Sequence, residues 1–276
     1  MNSMLKKGWI TYSLISVVLA SLVGGCVTTT QEPVSQEPVD FGQNPPLVLV
    51  ITPEKRVEFF EWLFRVLTWS AVDNFYSFQG TWDPATELSE RVVTAIRSEY
   101  GVKASPLQSV LPSGEYAGIV KACEQSFGQG RSDPKGGAGL SGFGRRFGAA
   151  SPYMASVPPE QLLAIRDQVD TDYLIEVILC GIAVTRASSM QNYVDVFTRG
   201  RVIRLSDGKI LRTSKAIGRA PVGKIKSFAE LETDNLRPLR ALYSDCVSGL
   251  LGQKQINTMK NPNLQPKQRL LDGLMD

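Results

Sequence analysis

The 276 residues include no histidine. That removes the side chain whose ordinary pKa lies nearest neutrality, and with it every Ser-His-Asp or Cys-His nucleophile pair and every imidazole metal site. Enzyme chemistry is left with paired carboxylates, a Ser-Lys pair or a lone activated thiol. Cysteine is scarce: Cys26, Cys123, Cys180 and Cys246 share no metal-ligand spacing. No glycine cluster runs from a strand into a helix with the Lys-Ser or Lys-Thr ending of a phosphate loop, and no cofactor is implied. An excess of one charge is missing as well. The formal +3 counts Lys6 and Lys7, and beyond residue 26 the chain carries 28 basic against 27 acidic side chains, which is no signature of nucleic-acid binding. What the composition does supply is a 43% hydrophobic fraction, enough for a globular core of one sizeable domain.

The beginning of the chain fixes where that domain works. Lys6 and Lys7 form a basic start, Trp9 to Val23 is an apolar run of about fifteen residues, and small residues precede Cys26. The run falls short of the about twenty residues of a membrane span and reads as an export signal over residues 1–25. Val23-Gly24-Gly25-Cys26 resembles the lipobox of bacterial lipoproteins. That resemblance implies cleavage before Cys26, acylation of its thiol by palmitate-type chains, and a mature protein anchored to membrane. By resemblance to enterobacterial lipoproteins, Val27 in place of an aspartate after the cysteine implies the outer membrane, facing the periplasm. An uncleaved anchor or an ordinary signal peptide is the alternative.

Once Cys26 is assigned to lipid, three thiols remain, allowing one disulfide and one left over. Cys180 lies in an apolar run and Cys246 on a candidate helix, so both read as small buried hydrophobes. Residues 26–46 are rich in Thr, Gln, Glu and Pro, with Gln31-Glu32-Pro33-Val34 repeated imperfectly as Gln36-Glu37-Pro38-Val39. They read as a flexible tether that buries no core and, at roughly 3.1 Å per residue, reaches about 60 Å.

A single α/β domain is expected over 47–255. Leu47 to Ile51, bounded by prolines, predicts a buried strand. From Glu54 to Leu67 charges recur at helical spacing around Phe59, Trp62, Leu63 and Val66; helix is the reading taken, although the aromatic density also suits a strand. The aromatics are assigned to the core rather than to an exposed patch. Phe75 to Phe78 predicts a short strand. Asp83 then caps a helix opened by Pro84, with Leu88, Val92, Ile96 and Tyr100 on one face, ended by Gly101. A strand is expected over Val102 to Val110, and a helix over Glu115 to Phe127.

Gly128 to Ala150 departs from this pattern. It is glycine-rich and carries Arg131, Lys135, Arg145 and Arg146 against Asp133, which makes it the most basic stretch past the signal. It reads as an inserted surface loop. It also reads as a partner-binding surface, in which Arg131, Lys135, Arg145 and Arg146 supply charge and Phe143 and Phe147 supply apolar anchors.

Pro158-Pro159 predicts a helix to about Val169. Thr171 to Arg186 is the longest apolar strand, and Tyr193 to Leu205, a Ser206-Asp207-Gly208-Lys209 turn and Ile210 to Gly218 follow as a meander. Glu176, inside the apolar run, is expected to pair across strands with Arg199 or Arg201. Leu236 to Leu251 predicts a closing helix, and 256–276 a polar, frayed tail or partner peptide. Helices alternating with strands before a meander argue for a mixed β-sheet with helices packed over it.

Asp172-Tyr173-Leu174-Ile175 with its long strand, then Gly200 to Leu211 around Asp207-Gly208, resembles the corresponding region of the TolB amino-terminal domain, the curli-secretion lipoprotein and the lipoprotein activators of penicillin-binding proteins. The likeness implies a mixed α/β fold and a role in transport, secretion, assembly or cell-wall synthesis through a protein partner, without catalysis. Homo-oligomers are left open. The alternatives are a histidine-free hydrolase using Glu99, Asp172 and Glu176, or an oligomeric secretion pore, for which the continuous apolar run of the long strand is poorly patterned.

Overall fold

The computed structural model describes residues 37–52, 56–65, 68–77, 82–129, 157–187, 192–223, 225, 227–253 and 269–275. The signal, Cys26 and the first part of the tether lie outside them, as does 130–150 of the glycine-rich insertion. Among the described residues, seven strands form one mixed sheet accompanied by five helices. No helix among them is long and apolar enough to cross a membrane.

β5 (Tyr173–Ala187) is the axis of the sheet. Its first half runs parallel to β1 (Leu47–Ile51), and its second half runs parallel to β2 (Arg56–Arg65) along the same edge. The β1–β2 line advances six residues, 51 to 57, while β5 advances four, 178 to 182. β2 folds back antiparallel on β3 (Thr68–Ser77), and β1 pairs parallel with the two-residue β4 (Ser105–Pro106). On the other edge of β5 come β6 (Asn192–Arg204) and then β7 (Ile210–Val222), both antiparallel. The β6–β7 turn closes where Gly208 takes φ +70°, a conformation that strains other residues, and Asp207 accepts a hydrogen bond from the Lys209 amide at 3.0 Å.

One face of the sheet is covered by α1 (Pro84–Glu99), α4 (Ala229–Leu250) and the short α5 (Asp272–Met275). α1 forms where expected: the Asp83 carboxylate accepts from the Ala85 amide at 3.0 Å, Pro84 occupies the first turn, and Gly101 at φ +68° ends the chain direction. Its Leu88, Val92 and Ile96 pack on Val48, Val50, Ile175 and Val177 in one apolar cluster. The opposite face, over the first half of β5, is covered by the 3₁₀ turn Leu107–Ser109, α2 (Ser113–Gln129) and α3 (Pro159–Arg166). Side chains that are fully enclosed this way each contribute about 1.5–3 kcal/mol.

Five expectations are corrected. Residues 56–65 are strand, not helix: Val57 and Phe59 are buried on one face opposite Ile182 and Val184, while Glu58 turns to the other. Pairing with β5, remote in sequence, overrides the local charge spacing. The Phe75 strand extends back to Thr68, and the Val102 to Val110 strand shrinks to two residues before the 3₁₀ turn. The end of the tether does bury apolar surface: Phe41 is 6% exposed and meets Tyr173 edge-on at 5.5 Å, and Glu37 pairs with Arg204 at 2.6 Å and with Lys209. The end of the tail is docked, because Leu270, Leu271 and Leu274 enter the core and Leu274 sits over Gly200, where a Cβ would lie 2.6 Å from its methyl.

Candidate functional site

The residues singled out for partner binding, Arg131, Lys135, Phe143, Arg145, Arg146 and Phe147, lie outside the described residues, as does Cys26. The carboxylates of the hydrolase alternative do not meet. Glu99 is exposed at the end of α1 on one side of the sheet, Asp172 is exposed before β5, and Glu176 is buried on the other side.

Glu176 instead belongs to a band of buried charge across β5, β6 and β7. Register sets Glu176 opposite Arg201, Ile178 opposite Arg199, and Asp195 opposite Arg219. The Arg201 guanidinium lies 3.7 Å from the Glu176 carboxylate, both side chains essentially fully buried, and the Val157 amide donates to Glu176 at 2.9 Å. The expected ion pair is thus present, with Arg201. Arg219 grips Asp195 through two bonds of 2.5 and 2.7 Å and lies over the Tyr193 ring at 3.9 Å. Burial pushes the Asp195 carboxyl up, and the Arg219 bonds oppose that shift. A pair so enclosed adds little net stability, whereas stranding one of its charges costs several kcal/mol, roughly 3–5.

The three described thiols are free, with Cys123 and Cys246 buried and Cys180 only half-buried at the bulge between Leu179 and Gly181. Burial pushes Cys123 up to about 12, and the nearby Glu176 adds to the shift. Such a thiol is no nucleophile near neutral pH. Among the described residues no group of three or more Cys, Asp or Glu side chains is placed to hold a metal ion.

A concavity of about 770 Å³ opens between α1 and α4. Its floor is Trp82, 6% exposed, held by an indole hydrogen bond to Glu87 at 3.0 Å and by edge-on contact with Tyr243 at 5.2 Å. Tyr243 in turn donates to the Pro84 carbonyl at 2.7 Å. Deeper along the pair of helices, Arg91 donates to Ser244 and Ser248 and clamps α1 to α4. The α1 wall presents Asp83, Glu87 and Glu90, at i, i+4 and i+7; the α4 wall presents Arg237 and Arg240 at i, i+3. At the rim, α4 is broken by Asp234, Asn235 and Leu236 with φ of 51°, 54° and 62°. Each such residue costs about 1–3 kcal/mol, and burial of Leu236 holds the turn in place. Asp83 is occupied with capping and Glu87 with the indole, so the groove offers charge and ring surface for contact.

Sequence reasoning read Asp83 only as a cap and missed the groove. The acidic stripe on α1 and the arginines of α4 are legible as exposed charged faces, but their meeting across about 150 residues of chain is not.

No family model matches the chain, and no curated protein matches it. Solved structures do. The chain is similar to protein XCC0632 from Xanthomonas campestris, at 10% identity over 81% of this chain and 90% of that one, with a TM-score of 0.37. It is similar to lipoprotein GNA1162 from Neisseria meningitidis, at 15% identity over 76% and 97%, TM-score 0.31. A third likeness is to the LpoB C-terminal domain from Salmonella enterica, at 12% identity over 66% and 84%, TM-score 0.22.

Proposed function

We propose that this chain is a lipoprotein of the bacterial envelope, held in the outer membrane through Cys26, that acts in the periplasm by binding a protein partner and carries out no catalysis of its own. The observation that carries the reading is the coincidence of a basic start, an apolar run too short to span, small residues and Cys26, followed by a Pro-rich segment. The domain supports it with a surface open to contact, the charge-walled groove over Trp82. The basic segment with Arg145, Arg146, Phe143 and Phe147 is the surface proposed for the partner, since charge steers an encounter and apolar anchors lengthen it.

The test is a pair of variants in cells. Cys26→Ser should leave the chain unprocessed or release it from the membrane fraction. Arg145→Ala with Arg146→Ala should leave thermal stability within about 1 kcal/mol and weaken recovery of envelope partners in a salt-dependent way. Unchanged mass and detergent partitioning of Cys26→Ser would end the lipoprotein reading. Equal partner recovery at equal salt would remove the basic segment from the binding surface.

A further inference from the structure

We propose that the groove between α1 and α4 is the interface through which two copies of this chain pair about a two-fold axis. The groove is bipolar: carboxylates of Asp83, Glu87 and Glu90 line one wall and guanidiniums of Arg237 and Arg240 the other, where Ala241 beside Arg240 adds a small side chain to the lining. An occupant must bring positive charge to α1 and negative charge to α4. A second copy rotated by 180° does so, because its α4 then faces the acidic wall and its α1 faces the basic wall. This is the reciprocal pattern of an isologous contact, in which residue i meets j and j meets i.

The charges inside the groove are arranged for such an occupant. Arg237 is engaged by Asp234 at 3.2 Å, and Glu87 by Trp82, but among the described residues Glu90 and Arg240 form no ion pair with each other or with any other side chain. The clamp of Arg91 on Ser244 and Ser248 and the packing of Tyr243 under Trp82 hold the two walls at a fixed separation, so the groove cannot collapse to pair them within one copy. Pairing across the two-fold satisfies both charges twice. The inference stands apart from the identity of any envelope partner and from lipidation, although anchoring on one membrane would raise the effective concentration of copies.

Reciprocity supplies a test that a structural role would not pass. Two tagged versions of the full chain are coexpressed and extracted in mild detergent, and capture through one tag is scored for the other. Wild-type copies should capture each other, and the recovery should fall with added salt. Glu90→Arg in both copies, or Arg240→Glu in both, places like charges at both contacts and should cut capture about tenfold or more. Combining one Glu90→Arg copy with one Arg240→Glu copy restores opposite charges at both contacts and should restore capture; so should both changes in one chain. Circular dichroism of the variants should match wild type, since both side chains are exposed. The proposal is overturned if wild-type copies do not capture each other, if single reversals leave capture unchanged, or if the complementary mixture fails to recover it.

Discussion

Replacing Gly218 by alanine tests how closely α4 lies on β7, and hence how rigidly the arginine wall of the groove is mounted. A Cβ built on Gly218 would overlap the carbonyl oxygen of Cys246 and lie 2.8 Å from its carbonyl carbon, with Leu250 at 3.1 Å. Two of these obstacles are helix backbone and cannot rotate away, so α4 must shift or β7 must bend. Insertions of one methyl into packed structure cost about 1–3 kcal/mol, and a backbone obstacle puts this site at the upper end. Loss of glycine freedom in the unfolded chain returns about 0.4–1 kcal/mol. The net is a loss of about 2 kcal/mol, which for a domain of this size lowers Tm by roughly 4–8 °C. Gly223 provides the control: nothing lies within 4 Å of a Cβ there, so Gly223→Ala should be neutral or raise Tm slightly. Differential scanning calorimetry of the two variants beside wild type reads the difference. A Gly218→Ala Tm equal to that of Gly223→Ala would refute the close approach.

Glu176→Leu should destabilise by about 3–5 kcal/mol in urea unfolding, and adding Arg201→Leu should recover most of that loss, since the single change strands a buried guanidinium. Leu274→Ala should cost about 2–5 kcal/mol and speed proteolysis of the C-terminal segment, whereas a frayed tail would be indifferent. Amide exchange should be slowest in 174–182 and 194–203, whose strands are paired on both edges. The Cys123 thiol, raised from 9.0 to about 12, should resist iodoacetamide at pH 8 in the folded chain. Because its folded pKa lies above the unfolded one, its contribution to stability is whole below pH 9 and is lost as pH rises toward about 12, a slope that Cys123→Ala should reduce.

The elements legible in the sequence were those whose signals are local. Asp83-Pro84 and Gly101 bracket α1 because capping and chain reversal are set by neighbours, and Asp207-Gly208 marks the β6–β7 turn for the same reason. Glu176 was legible as a paired charge because an ionised group inside an apolar strand requires a counter-ion wherever the partner strand falls. β2 was not legible, since Glu58 and Glu61 fit helical spacing and only pairing with β5, more than 120 residues away, shows that Glu58 points to one side of a sheet. The tail read as polar and frayed, or as a partner peptide, because the seat of Leu274 is the missing side chain of Gly200, visible only once β6 is placed under α5. The groove was hidden for a like reason, because Trp82 and the carboxylates of α1 meet Arg237 and Arg240 through tertiary packing alone.

Intact-mass measurement of the protein extracted from isolated membranes tests the anchoring most directly. The expected species begins at Cys26 and carries the added mass of acyl chains on that residue, confined to the amino-terminal peptide after proteolysis. A chain that retains Met1 to Gly25, or one that starts elsewhere without lipid on Cys26, would contradict it.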